Sequence, residues 1–205
     1  MIYDVTMPIH QAMQVYKNKE EKKPTISYHI QTTPHHISET NVFLPMHTGT
    51  HMDFPRHMDA HGKTSTGFDA TTFFHQNVVV IDCLDATEYL DISHIEGVSI
   101  EKGDTVFFKT RNSYEEDFNP EFIYVSLALA KKLSELDLLA VGIDALGIER
   151  NDVMHQTHLT FMHKGIYIIE GLRLKDVPEG RYRYTALPLY VLESDALPLR
   201  VLIHD

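Results

Sequence analysis

The sequence predicts an α/β fold in which mixed β-sheets carry a few packed helices. Three observations lead there. Asn77 to Leu84 is a nearly continuous apolar, β-branched run, the mark of a strand buried on both faces. A strand, a helix and a strand follow one another between residues 105 and 143, which suggests a right-handed crossover within a mixed sheet. A chain of 205 residues, 43% hydrophobic and without repeats, suits a single domain over residues 1–205 with a substantial core.

The elements can be justified in order. Ile2-Tyr3-Asp4-Val5-Thr6 alternates as a first strand. The charge run Lys-Asn-Lys-Glu-Glu-Lys-Lys at 17–23, ahead of Pro24, reads as a solvated loop. Thr25 to Gln31 alternates again, and Thr40 to Met46 leads into a polar stretch. Gly62 and Gly67 mark turns, as does Lys102-Gly103-Asp104 before the strand Thr105 to Thr110. Ser126 is placed to cap a helix with Leu129, Leu133 and Leu136 on one face. Leu138 to Ile143 is a further buried strand ending at Asp144. Asn151-Asp152 can cap a helix running to about Lys164, where Gly165 stops it. Ile166 to Ile169 is then a strand, followed at once by Glu170-Gly171.

Composition narrows the partners. Eighteen Lys and Arg against 29 Asp and Glu give a net charge of −11, which argues against nucleic acid or an anionic membrane. No apolar run approaches membrane-spanning length, and Asp4 interrupts any leader, so a protein without a signal peptide is expected. The single cysteine, Cys83, lies in an apolar run and can form no internal disulfide. A cytoplasmic, reducing address follows.

The polar stretch Pro45-Met46-His47-Thr48-Gly49-Thr50-His51-Met52-Asp53-Phe54-Pro55-Arg56-His57 organises the rest. In extended chain, positions 47, 49, 51 and 53 share a face. A straight strand would hold the backbones of His47 and His51 roughly 13 Å apart. Two imidazoles at that separation cannot share one ion at about 2.1 Å. The segment must bend, and Gly49 is where a positive φ costs least. The expectation is a kinked strand presenting His47, His51 and Asp53 to a divalent metal. Glu170 joins an apolar run, where an unpaired carboxylate is expensive to bury; the metal is its obvious partner.

His-Thr-Gly-Thr-His-Met-Asp-Phe-Pro-Arg-His resembles the signature H-x-G-T-H-x-D-x-P-x-H of the cyclase family, metal-dependent hydrolases that include bacterial kynurenine formamidase and isatin hydrolase. The pattern His158-x-x-Phe161-Met162-x-x-Gly165-Ile166-x-Ile168-x-Glu170 is similar to that family's second block, and the stretches around Pro188 and 195–201 are similar to its closing strands. The resemblance implies a swivelling β/β/α, cyclase-like fold. It implies that His47, His51, Asp53, His158 and Glu170 hold the metal, with Asp53 able to bridge two ions. His57 would transfer protons, and His158 rather than His155 or His163 would be the ligand. It also implies a homodimer or higher homo-oligomer acting on a small molecule. Members often carry a substrate-facing tryptophan after a similar opening; this chain has no tryptophan, and Tyr16 is the candidate to take that role.

Three histidines and two carboxylates suit zinc and permit manganese or iron. Two dications with both carboxylates and a hydroxide leave one net positive charge, whereas one dication leaves one net negative charge; the former better stabilises an oxyanion. The chemistry expected is attack by a metal-activated hydroxide on an amide or formamide carbonyl, an arylformamidase-like reaction. Hydrolysis of a cyclic amide, a lyase or cyclase reaction, and a non-catalytic metal-binding role remain open from the sequence. No G-x-S-x-G motif is present, and Cys83 lacks an activating context.

Overall fold

Because successive side chains of a strand point to opposite faces, the apolar runs separate into two cores on either side of one large sheet. The computed structural model describes residues 1–205. Its elements are β1 (Ile2–Asp4), β2 (Thr25–Gln31), β3 (Ile37–Phe43), β4 (His51–Asp53), β5 (Gln76–Asp82), β6 (Tyr89–Leu90) and β7 (Thr105–Lys109). There follow β8 (Tyr124–Val125), α1 (Leu127–Leu133), β9 (Ala140–Ile143), α2 (Gln156–His163), β10 (Tyr167–Glu170), β11 (Gly180–Pro188) and β12 (Ala196–His204).

The main sheet has the order β1-β12-β11-β5-β7-β9-β10-β4, and β12 also pairs with β4. The pairings therefore close on themselves, with β1 appended to β12. β5, β7, β9 and β10 run parallel, and the remaining neighbours are antiparallel, so the sheet is mixed as expected. Val78, Val80, Phe107, Ile169 and Val201 fill the enclosed face. Their neighbours Val79, Ile81, Val106, Phe108 and Ile168 face outward, where Leu129 and Leu133 of α1 and Phe161 of α2 cover them. Burial of each such side chain contributes about 1.5–3 kcal/mol. The fit is close: a Cβ on Gly142 would lie 2.5 Å from the ring of Phe107, its partner in the β7–β9 register. No helix is long and apolar enough to cross a membrane.

Several boundaries differ from expectation for identifiable reasons. β1 ends at Asp4 because the hydroxyl of Thr6 takes over the contact, accepting from the Val201 amide at 2.9 Å. α2 begins at Gln156, not near Asp152, because Asn151 and His155 have positive φ; Asp152 instead accepts from the Gln156 amide at 3.0 Å. Ser126 caps α1 through the Leu129 amide at 3.2 Å, and the helix ends before Leu136. The 17–23 charge run forms two short 3-10 turns.

Two features outside the sheet matter later. Asp144, buried just past β9, accepts from the amide and hydroxyl of Thr110, both at 2.7 Å, and from those of Ser113 at 3.1 and 2.7 Å. It pins the segment after β7. β2 and β3 pair only with each other and form an arm whose strand residues are exposed, save half-buried Ile26.

Candidate metal centre

The polar cluster is a product of strand alternation. Met52 of β4 points into the enclosed core, so its neighbours His51 and Asp53 turn to the helix-bearing face. Antiparallel pairing sets Glu170 of β10 opposite His51. His158 descends from the first turns of α2. His47 comes from the turn ahead of β4, and the bend falls at Gly49, whose φ is +70°. Gly171, also at positive φ, lets the two segments meet: a Cβ there would lie 2.4 Å from the Gly49 carbonyl oxygen.

The five residues expected to hold a metal are brought together. His51 Nε2 lies 3.5 Å from Asp53 Oδ1 and 3.5 Å from Glu170 Oε2. His158 Nε2 lies 3.7 Å from Asp53 Oδ2 and 3.4 Å from Glu170 Oε1. His47 Nδ1 is 3.0 Å from Asp53 Oδ1, though without the alignment of a hydrogen bond.

Each histidine is oriented by its other ring nitrogen. His51 Nδ1 pairs with the Gly49 carbonyl at 2.9 Å, His158 Nδ1 with Glu149 Oε1 at 2.6 Å, and His47 Nε2 with Asp195 Oδ2 at 3.1 Å. Partners of this kind select the tautomer and turn the free nitrogen inward. What remains is a set of buried polar atoms with nothing to bond: His51 Nε2 and both carboxylate oxygens of Asp53. Orphaned buried oxygens and nitrogen are costly, and a nitrogen–oxygen donor set of this composition suits a divalent cation. The residues fit the metal that the sequence implies.

The electrostatics agree. Burial opposes protonation of His158, but Glu149, Glu170 and Asp53 outweigh it and raise its pKa to about 10. Burial likewise opposes protonation of His47, and Asp53 and Asp195 raise it nonetheless. Burial would push Asp53 up, yet the surrounding imidazoles hold it far below the usual carboxylate range. A bound cation would take the place of those protons.

His57 stands at the rim on a short turn begun by Pro55. Its ring lies 3.8 Å from that of His47 and 5.9 Å from that of His158. Burial, with the neighbouring imidazoles, depresses its pKa below the ordinary histidine value.

A family model described as "Putative cyclase" matches residues 3–150, more than half of the chain. The chain belongs to the Cyclase family. This Cyclase-family protein is 26% identical over 209 residues to the kynurenine formamidase of Sphingopyxis alaskensis, an alignment spanning 100% of this chain and 98% of that one. It is 41% identical to the solved structure of a predicted metal-dependent hydrolase from Bacillus stearothermophilus, with a TM-score of 0.89 over 99% of this chain and 97% of that one. Isatin hydrolase A from Labrenzia aggregata is similar in fold, with a TM-score of 0.85 at 21% identity over 99% and 93% of the two chains. The cyclase-like architecture expected from the resemblance is the one observed.

The Cyclase-family protein opens its polar cluster to a cleft of about 100 Å³, lined also by Tyr16, Lys22, Met58, Leu146 and Gly147. Tyr16 is half-buried there, its ring edge-on to Phe118 at 5.5 Å and Phe122 at 6.4 Å. Of the other histidines, His155 lines the same cleft and shares Glu149 Oε1 with His158, its ring 6.1 Å from that of His158. His155 turns to Glu149 at 2.7 Å, His163 is exposed, and His29, His35 and His36 are exposed on the arm. Sequence reasoning missed Glu149 and Asp195, which position two of the imidazoles. Neither shows ligand-like spacing; the only signal for Asp195 is a charge opening the apolar run 196–199.

Proposed function

We propose that this chain is a metal-dependent hydrolase that cleaves the C–N bond of an amide or formamide, with an arylformamide of the N-formylkynurenine type as substrate. The observation that carries the reading is the convergence of three imidazoles and two carboxylates on buried, unpaired polar atoms with His57 beside them. Relatives named kynurenine formamidase, matching over the full chain, support the substrate class.

His47, His51, Asp53, His158 and Glu170 would hold the metal, two zinc ions by the charge balance of the donor set. Bound there, the metal supplies Lewis acidity and an ionised water at neutral pH. Glu149 and Asp195 keep His158 and His47 in the tautomers that face inward. His57, held below the ordinary histidine pKa by burial, would take a proton from the attacking water and pass that proton to the leaving nitrogen. Tyr16, braced by two phenylalanines, offers an aromatic wall to an aryl group. We further propose that the chain works as one domain over residues 1–205, in the cytoplasm, as a homodimer or larger homo-oligomer.

The test is metal content of the purified protein combined with turnover of N-formylkynurenine, with isatin as the cyclic-amide comparison. Zinc bound together with formamide hydrolysis supports the reading. Turnover of isatin alone moves the substrate class, and bound metal without turnover of either leaves a binding protein.

A further inference from the structure

The charge run at 17–23 holds four lysines and two glutamates. Both glutamates are taken: Glu20 pairs with Lys23 at 2.6 Å and Glu21 with Lys19 at 3.8 Å. The two lysines left over, Lys17 and Lys22, have no carboxylate partner and stand over one ring. Each places its Nζ 5.2 Å from the centre of Tyr16. An ammonium at that range is attracted to the face of a tyrosine, so the ring gathers both unpaired cations.

Of the two, Lys22 is the one at the metal centre. It lines the same cleft as Tyr16, His47, His57 and His158, and it is half-buried where Lys17 is exposed. Its backbone is tied to the metal-bearing segment, because the hydroxyl of Thr48, next to His47, donates to the Lys22 carbonyl at 2.9 Å. No other lysine or arginine lines the cleft. The carboxylates there are already engaged. Glu149 serves the rings of His155 and His158, and Glu170 accepts from the Ile148 amide at 2.6 Å and faces the imidazoles of the cluster. In a chain of net charge −11, a cation without an acid of its own, held on the wall of a cleft, is a seat for an anion from outside.

We propose that Lys22 selects the substrate by pairing with a carboxylate on its aryl portion, while the ring lies against Tyr16 and the formamide faces the metal centre. The inference rests on the hydrolase reading above and narrows it to anionic arylformamides. That carboxylate takes no part in breaking the C–N bond. Lys22 would therefore hold the ground state and the transition state equally, and its loss should fall on KM rather than on kcat.

The test compares 2-, 3- and 4-formamidobenzoate with uncharged formanilide as substrates of the zinc-loaded full chain. For the best isomer, kcat/KM should exceed that of formanilide by about 10–100-fold, the worth of one hydrogen bond to a charged group. The preference should shrink as ionic strength rises. Lys22→Met keeps an apolar stem over Tyr16 and should abolish the preference through KM, Lys22→Arg should retain it, and Lys17→Met should leave it in place. A wild type without preference for any isomer overturns the proposal. So does a preference that survives Lys22→Met, which would put the carboxylate on the metal instead. If no formamide is cleaved, the hydrolase reading fails by itself, and calorimetric titration with the three aminobenzoates against aniline judges Lys22 separately. Aminobenzoate binding that weakens in Lys22→Met supports the assignment, and equal binding in both proteins overturns it.

Discussion

Glu149 Oε1 lies 2.6 Å from His158 Nδ1, while Nε2 of the same ring faces Asp53 and Glu170. The second oxygen of Glu149 accepts from the amides of Thr157 and His158 at 2.9 and 3.4 Å, so the carboxylate is fixed to the start of α2 as well as to the ring. One residue thus sets both where the imidazole stands and which of its nitrogens is free.

Removing that acceptor should loosen the metal. Glu149→Ala is expected to lower zinc affinity by about 10–100-fold, and Glu149→Gln by less because an amide oxygen can still accept from Nδ1. Competition with a chromogenic chelator reads the change. Equal affinity in all three proteins would show that Glu149 does not position the ring.

His57 makes a contrasting case. Its side chain is 29% exposed at the rim and is not among the orphaned buried atoms. His57→Ala should keep the full metal content and lose about 10²–10⁴-fold in turnover of a formamide. Because burial lowers its pKa from 6.5, the acid limb of kcat/KM should fall below pH 6.5 in the wild type. Near wild-type rates in the variant would remove His57 from the reaction.

Metal removal should cost stability as well as activity. A ligand that binds only the folded state stabilises it by about 2.7 kcal/mol at a free concentration of 100 times Kd. Tm by scanning calorimetry should therefore drop on chelation, recover on adding zinc, and respond to neither in Asp53→Ala. A Tm indifferent to chelator would contradict a cation bound among these side chains.

The metal-free protein should have its own pH signature. His158 has its pKa raised to about 10 in the fold, so its contribution is complete below the ordinary histidine value of 6.5 and is lost as pH rises through 10. His47 is raised in the same direction. Glu149 is lowered, so its contribution is present above 4.5 and fades as pH falls through the depressed value. Urea unfolding of chelated protein should show greatest stability on the acid side of pH 6.5, with a decline toward pH 10 that zinc suppresses. A flat or rising profile in the chelated protein would sink this account of the charges.

A purely structural change offers a control. Asp144→Ala leaves the buried amides of Thr110 and Ser113 without their acceptor and should cost about 3 kcal/mol in chemical unfolding. Zinc affinity should be unaltered, since Asp144 spends its oxygens on Thr110, Asn112 and Ser113 and belongs to none of the ligand groups.

The reading from sequence reached furthest where chemistry is local. His47, His51 and Asp53 sit within seven positions, and the need to bend at Gly49 follows from spacing alone; the structure has that bend. Glu170 was legible as a carboxylate at the end of an apolar strand. Glu149 and Asp195 were not, because what each does depends on an imidazole 9 or 148 residues away. The closure of the sheet was equally hidden, resting on a register between Ala196 and Asp53 that no periodicity reports. The start of α2 was misplaced because His155 adopts a left-handed conformation that its residue type does not announce. In the arm, alternation marked β2 as a strand but could not say that its residues would stay largely exposed.

The three residues of β4 join the two margins of the main sheet, pairing with β10 on one side and β12 on the other. So short a stave adds few rungs, which makes this seam the place where the cylinder would part most easily. His51 and Asp53 belong to that stave, Glu170 to its neighbour and His158 to the helix laid over it. A cation gripped by all four would act as a rivet through the wall at its thinnest point, so that emptying the centre would unfasten the vessel as well as disarm it.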